Sequence, residues 1–470
     1  MSEVIKFGTD GWRAVIGDQY TVNNVARVSD AVSKWLKNQN IQSPSIIIGY
    51  DCRFNGELFM NTAIQVFLQH GIKVIMSNNF ASTPMVSLGA AVHKTALGVV
   101  ITASHNPPSY NGYKLKAGYG GPLSPEKVQE VQDLIPNEVS PDFKSIDLEG
   151  AKASGALKVV DLETEYVEHL KKNFDIAAIK NADMRLAFDA MYGAGQNVIK
   201  RILPGIKFLH CDYNPSFKGQ APEPISKNLQ ELEQFIKTSK SIDCALAVDG
   251  DADRIGLYNG KGEFVDSHHI ILLLIHYLVK YKKMNGKVVT AFSCTPRIEK
   301  MCKHYKLDHQ TVKIGFKHIA GIMVEEDVLL GGEESGGIAT KGHIPERDGI
   351  WMGMIIWEYM AKSGKSLDEL IEEVYEIVSP FKFERSDLHI DEHLKQEIIT
   401  NCKNGTYTSF GPYVVEKVET IDGFKFFFPN ERWVMIRPSG TEPVLRVYAE
   451  AENLNKVREI LKIVEDTIKA

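Results

Sequence analysis

Asp249, Asp251 and Asp253 occupy alternate positions of Asp249-Gly250-Asp251-Ala252-Asp253-Arg254, directly after the apolar run Ala245-Leu246-Ala247-Val248. Carboxylates on alternate residues of an extended loop can converge on one hard cation, which prefers oxygen ligands. Magnesium fits best, since three monodentate carboxylates leave positions for a phosphoryl oxygen and water. A calcium loop of the EF-hand kind needs a bidentate Glu downstream, yet position twelve counted from Asp249 is Gly260. An inert acidic turn is the plain alternative.

A second loop, Thr102-Ala103-Ser104-His105-Asn106-Pro107, follows the β-branched run Gly98-Val99-Val100-Ile101. Open α/β sheets place their chemistry on loops that leave strand C-termini. Pro107 and Pro108 forbid a helix there, and the turn signal Asn111-Gly112 folds Lys114 back toward Ser104. Taken alone, the serine reads as a turn or cap residue rather than a nucleophile. In a third loop, Gly331-Gly332-Glu333-Glu334-Ser335-Gly336-Gly337, paired glycines permit close backbone approach, while Glu333 and Ser335 suit sugar hydroxyls. A fourth, Arg437-Pro438-Ser439-Gly440-Thr441-Glu442-Pro443 with Arg446 beyond it, has the makings of a phosphate cradle. By itself the third loop reads better as a flexible glycine turn, and the fourth reads equally as a β-turn with a surface arginine.

The elements that must position these loops alternate. Val25, Val28, Val32, Trp35 and Leu36 recur at helical spacing, Ile46–Asp51 reads as a buried strand, and Lys73–Met76 as the next. Thr83-Pro84 opens a short helix with threonine as cap. Strand–loop–helix units recur from Met184 and from Lys287, the last running into Thr295-Pro296-Arg297. Intervals of roughly 100–140 residues imply three related α/β domains with mostly parallel sheets. Linkers are expected at Ala151–Leu157 and after Gly260. Past Ser379-Pro380 a smaller α+β domain is expected, a candidate lid, with strands at Phe381–Leu388 and Tyr413–Ile421 and a hairpin at Asp422-Gly423. The expected division is 1–152, 153–259, 260–378 and 379–470.

The 470 residues are 44% hydrophobic and 24% charged, with a net charge of -6, which argues against a general nucleic-acid or membrane-surface binder. Any anion must be held by a local cluster of basic residues. Six cysteines without a C-x-x-C pair fit reduced thiols. The N-terminus lacks a signal-like apolar core, and the run Ile270–Ile275 is too short to span a bilayer. A cytoplasmic location, with no nucleic-acid or membrane partner, is the expectation.

Together, Phe7-Gly8-Thr9-Asp10-Gly11-Trp12-Arg13 and the four loops closely resemble the α-D-phosphohexomutase superfamily, the phosphoglucomutases and phosphomannomutases, over essentially the whole chain. The resemblance implies four domains around one central cleft and a magnesium-dependent phosphoryl shift between the 1- and 6-positions of a hexose phosphate. Ser104 matches the phosphorylated serine, whose phosphate completes the metal site of Asp249, Asp251 and Asp253. Arg13, His105, Lys114 and Arg254 match groups around the phosphoryl centre, and Lys317 a glycine–aromatic–lysine segment of the glucomutase branch. Glu333 and Ser335 match sugar contacts. Arg437, Ser439, Gly440 and Thr441, with Arg446 nearby, match the distal phosphate cradle. A hexose 1,6-bisphosphate is the implied intermediate, glucose 1,6-bisphosphate the implied activator, and the molecule a monomer or homodimer.

Gly337 departs from the Ser-Gly-His ending that bacterial phosphomannomutases and phosphoglucosamine mutases of this superfamily typically carry, and Lys317 or His343 are candidates to take over from the missing histidine. This departure, with Gly120-Gly121-Pro122, tilts the expected substrate toward glucose phosphate, with a mannose or dual-specificity mutase as the alternative. A phosphatase would need neither a sugar-reading loop nor a distal cradle, and a non-catalytic binder would be favoured by loss of the serine or an aspartate; all are present. A Ser-His hydrolase lacks its G-x-S-x-G turn.

Overall fold

Ile46, Ile47 and Ile48 are fully buried because Ser45–Tyr50 is a central strand, covered on both faces. Its sheet runs, in order, Trp12–Val15, Tyr110–Ala117, Leu97–Ile101, Ser45–Tyr50, Lys73–Ser77 and Leu157–Val160. The computed structural model describes residues 4–438 and 444–469. The strands from Ser45, Lys73, Leu97 and Leu157 are parallel, whereas Tyr110–Ala117 returns antiparallel beside Leu97–Ile101 and sets Lys114 opposite Val100. Helices Val22–Asn38 and Gly56–Gln69 bury Val25, Val28, Val32, Phe59 and Phe67 in the same core. The linker expected at Ala151–Leu157 is instead a helix end followed by the edge strand of this sheet, since Leu157 and Val160 have apolar neighbours to bury against.

Helix Thr83–Val92 forms where expected, but its cap is Ser82, whose Oγ accepts the Met85 N–H. Thr83 is thereby released to donate its hydroxyl to Asp251.

The second sheet runs Phe264–Val265, Ile255–Asn259, Cys244–Val248, Leu186–Asp189, Lys207–Leu209. Cys244–Val248 lies parallel to Leu186–Asp189 and antiparallel to Ile255–Asn259, so the triple-aspartate loop is the turn between two paired strands. The stretch after Gly260 turns tightly into Phe264–Val265, which pairs back onto Ile255–Asn259. Next come strands Lys287–Ala291, His309–Val312, Val328–Gly332 and Ile338–Thr340. The last two form an antiparallel pair around the Glu333 loop. Helix Gly349–Ser363 follows, capped by Asp348.

Two compact units result. One comprises the chain up to Val289 together with Gly315–Ile371; the other comprises Thr290–Ile314 and the chain from Glu372 onward. The second is built on a five-stranded sheet ordered Lys382–His389, Val444–Ala451, Arg432–Pro438, Phe424–Phe428, Lys417–Glu419. Helices Glu392–Lys403 and Leu454–Lys469 supply Ile398, Val457, Ile460 and Val464 to its core. The strand expected at Tyr413–Ile421 breaks into Tyr413–Val414 and Lys417–Glu419, each with its own partner. Within this unit the buried ammonium of Lys425 donates to Phe292 O at 2.9 Å and Cys294 O at 2.8 Å, and Arg297 pairs with Glu450 and Glu431. Among the described residues, no helix is long and apolar enough to cross a membrane.

Candidate active site

Ser104, third in the loop after Leu97–Ile101, has a left-handed conformation, φ 52°, and only 1% of it is exposed. Its N–H donates to Thr102 Oγ1 at 2.9 Å, and its Oγ donates to Asp249 Oδ2 at 2.8 Å. The serine loop and the aspartate loop therefore meet through the two side chains that the sequence singles out. Gly250 is what permits the approach, because a Cβ there would stand 2.6 Å from Ser104 O.

Asp249, Asp251 and Asp253 are fully buried, and one carboxylate oxygen of each lies within 4.8 Å of the others. Asp249 Oδ1 accepts the N–H groups of Asp253 and Arg254, at 2.8 and 3.1 Å, which fixes the turn. Lys114 Nζ stands 2.8 Å from Oδ2 of both Asp251 and Asp253 and from Asp10 Oδ2. The remaining oxygens, Asp251 Oδ1 and Asp253 Oδ1, are buried with no hydrogen-bond partner among the described residues. Buried orphan carboxylate oxygens are costly unless a cation or donor satisfies them, so this donor set fits a magnesium ion. Burial and the charges of Asp251 and Asp253 push Asp249 well above the usual carboxylate range. For Asp251 burial acts the same way, but the charge and hydrogen bond of Lys114, with hydrogen bonds from Thr83 and Asp249, together outweigh it and the carboxyl is held low.

Other cations gather around the serine. Arg13 donates to Asn106 Oδ1 at 2.7 Å, and Arg254 to Glu223 Oε1 at 3.2 Å. His105 Nδ1 is 3.3 Å from Ser104 Oγ. Burial, followed by the charges of Arg254, Arg13 and Lys114, lowers the imidazole well below its ordinary value and keeps it neutral. Lys317 is half-buried in the first turn of helix Phe316–Glu325.

The third loop closes through Glu333 N–H to Gly337 O, and Gly336 O accepts the Ile255 N–H, so it rests on the strand leaving the aspartates. Glu333 Oε1 accepts the Gly315 N–H at 2.9 Å, and burial pushes its carboxyl up to about 7. Ser335 is partly exposed. A residue that sequence reading missed ties this loop to the aspartates. Arg347 bonds Asp253 Oδ2 at 2.6 Å and Asp10 Oδ2, and its Nη1 lies 3.8 Å from Glu333 Oε2. Burial opposes its charge, but Asp253, Asp10 and Glu333 outweigh that and hold the guanidinium protonated. His343, a candidate for the missing histidine, is engaged elsewhere. Its Nε2 is 2.9 Å from Asp348, its ring stacks 3.9 Å from that of Trp351, and its side chain is wholly buried.

In the other unit, Arg437 and Arg446 are directly opposed on paired strands. Arg437 Nη2 is 3.3 Å from Asp422 Oδ2 and Arg446 Nε is 3.9 Å from Asp387 Oδ1, while Arg437 Nε has no partner among the described residues. Like charges in register oppose strand pairing, and here each arginine has a carboxylate of its own nearby. Ser439, Gly440 and Thr441 lie outside the described residues.

Four domain families described as phosphoglucomutase/phosphomannomutase match the chain: alpha/beta/alpha domain I over residues 4–142, II over 164–262, III over 266–378 and the C-terminal domain over 390–467. A phosphoglucomutase/phosphomannomutase of Thermococcus kodakarensis is 30% identical, covering 98% of this chain and 99% of that protein. A phosphoglucosamine/phosphogalactosamine mutase of Sulfurisphaera tokodaii is also 30% identical, over 98% and 99%. A crystal structure from Thermus thermophilus, described as a phosphomannomutase, superposes with a TM-score of 0.88 over 100% of both chains at 30% identity. With four such domains in order along one chain, the protein belongs to the phosphoglucomutase/phosphomannomutase family of phosphohexomutases.

Proposed function

We propose that this phosphohexomutase interconverts glucose 1-phosphate and glucose 6-phosphate, using Ser104 as phosphoryl carrier and a bisphosphorylated sugar as intermediate. The observation that carries the reading is the 2.8 Å hydrogen bond from Ser104 Oγ to Asp249, inside a cluster of three buried carboxylates. Asp249, Asp251 and Asp253 would hold magnesium, which when bound neutralises charge on the transferring phosphoryl group. In each direction a sugar hydroxyl attacks the phosphorus on Ser104. The bond to Oγ breaks as the new oxygen–phosphorus bond forms, and the hydroxyl proton ends on the released Oγ. In the second half Oγ attacks the other phosphorus of the bisphosphate, and the proton returns to the sugar oxygen set free.

A phosphoserine of charge about -2 with three carboxylates and a divalent cation leaves the centre at about -3. Lys114, Arg13, Arg254 and Lys317 compensate that charge, and Arg347 joins them. Neutral His105 adds no charge of its own. Glu333 and Ser335 orient the sugar hydroxyls. Arg437 and Arg446, with Ser439, Gly440 and Thr441, take the phosphate that is not reacting, so that the bisphosphate turned end for end finds the same cradle. The reading divides the chain at 1–152, 153–259, 260–378 and 379–470, one loop to each part. A reducing, cytoplasmic setting is supported by six cysteines that are all buried and free.

Glucose is favoured over mannose because Gly337 lacks the histidine of the Ser-Gly-His loops and Gly120-Gly121-Pro122 resembles the glucomutase branch. Glu333 and Ser335, assigned to hydroxyls that both sugars share, leave mannose a usable substrate. Names borne by relatives extend to glucosamine phosphates, so the assay must include them. Values of kcat/KM are compared for glucose, mannose, glucosamine and N-acetylglucosamine 1-phosphates on one preparation, with magnesium and catalytic bisphosphate. Glucose should lead, mannose should follow measurably, and the amino sugars should be poor. A preference above tenfold for any other sugar, about 1.4 kcal/mol in transition-state binding, rejects the glucose assignment. Near-normal turnover by Ser104→Ala rejects the phosphoserine route itself.

A further inference from the structure

The guanidinium of Arg53 lies beneath the serine loop, 1% exposed, and donates to four backbone carbonyls. Nη2 reaches Ser104 O and Asn106 O, both at 2.6 Å, while Nη1 reaches Pro107 O at 2.8 Å and Tyr110 O at 3.0 Å. All four acceptors belong to the seven residues from Ser104 to Tyr110. On its other side, Arg53 Nε pairs with Asp51 Oδ2 at 3.2 Å. Asp51 Oδ2 also accepts the Thr102 hydroxyl at 2.5 Å, and Thr102 Oγ1 in turn accepts the Ser104 N–H. Both backbone polar groups of Ser104 thus end on one buried ion pair, its C=O directly and its N–H through Thr102. The ring of Phe217 covers the guanidinium at 5.0 Å.

We propose that Arg53, braced by Asp51, is a positioning residue that holds Ser104 Oγ in line for phosphoryl transfer; the proposal rests on Ser104 being the phosphoryl carrier. A serine keeps φ near 52° only where its surroundings impose it. With both flanking peptide groups fixed, rotation of the loop cannot carry Oγ away from Asp249. Four carbonyl oxygens converging under the loop need a planar, multiply donating cation. An ammonium offers three donors from one point and cannot span them.

The test uses full-length enzyme phosphorylated on Ser104. Single-turnover transfer to glucose 1-phosphate is compared with release of inorganic phosphate to water in wild type, Arg53→Lys and Arg53→Met. Misplacement of a reacting atom by an ångström costs about 100-fold in an oriented transfer. Water needs no such register, so the ratio of transfer to hydrolysis should fall about 100-fold in both variants. KM for the sugar phosphate should stay near wild type. A purely structural role would lower both rates together by the folded fraction and leave the ratio unchanged. Arg53→Lys with a wild-type ratio therefore overturns the proposal. If Arg53→Met does not fold, Arg53→Lys and Thr102→Val carry the test, the latter through a smaller fall in the same ratio. A wild-type enzyme that takes no phosphoryl group on Ser104 overturns the carrier assignment first, and the proposal with it.

Discussion

A Cβ placed on Gly337 would overlap Cδ of Arg347, so the aliphatic stem of the arginine that joins Asp253 to the Glu333 loop occupies the space a side chain at 337 would need. Gly337→His should therefore be nearly inactive, because Arg347 must abandon Asp10 and Asp253. Adding Arg347→Ala should cost little more, since the same contacts are already gone. Coupling between contacting residues runs to about 0.5–3 kcal/mol, and kcat/KM across the four proteins of a double-mutant cycle measures it. Additive losses would separate the two positions.

Asp251→Asn removes one carboxylate charge while leaving an oxygen that can accept from Thr83 and Lys114. Half-maximal activity should then need about 10–100-fold more magnesium, with part of the rate regained at high metal. Unchanged activity in excess chelator would exclude the metal role of the triad.

Glu333 gives a pH signature. Burial raises its carboxyl from 4.5 to about 7, so the folded protein holds a proton that the unfolded chain loses between those values. Stability from this group is present below the unfolded pKa and is lost as pH rises through about 7. Acceptance of sugar hydroxyls runs the other way, since the ionised form is the better acceptor. The acid limb of kcat/KM should fall below pH about 7 in wild type and flatten there in Glu333→Gln. The phosphate of the substrate, which titrates near pH about 6, is common to both proteins and cancels in the comparison. Identical limbs would remove Glu333 from the profile.

Arg437→Ala should weaken use of the sugar phosphate by roughly 1.5–3 kcal/mol, the worth of a charge-assisted contact. Hydrolysis of phosphorylated Ser104 by water should change much less. Parallel loss of both would move Arg437 to the transfer centre.

The strand-borne loops were legible because each is contiguous: Ser104, the three aspartates and Glu333 sit in short motifs behind apolar runs. The residues that complete the centre were not. Asp10 and Arg347 meet across 337 positions, and neither neighbourhood announces the other. Thr83 looked like a cap because its hydroxyl precedes a proline, yet Ser82 caps the helix and Thr83 turns to Asp251. Arg53 stands in an ordinary turn after a strand, and its importance lies in carbonyls about fifty residues away, which no pattern of side chains encodes. His343 was near in sequence to the sugar loop, but its ring had better partners in Asp348 and Trp351.

The buried ammonium of Lys425 has a consequence for how this chain can be divided. Its acceptors, Phe292 O and Cys294 O, come from a segment that precedes it by more than a hundred positions, and Glu450 likewise draws its counter-charge from Arg297. A gene fragment starting at Pro380 would encode every strand of the C-terminal sheet and yet strand a lysine and a glutamate in the dark, at about 1–3 kcal/mol for each unsatisfied group. The last module is thus not a bead that can be unthreaded. It is heritable as a piece of structure only in company with Thr290–Ile314, so a new module joined at the visible proline boundary must match the carbonyls and the arginine that the upstream segment presents.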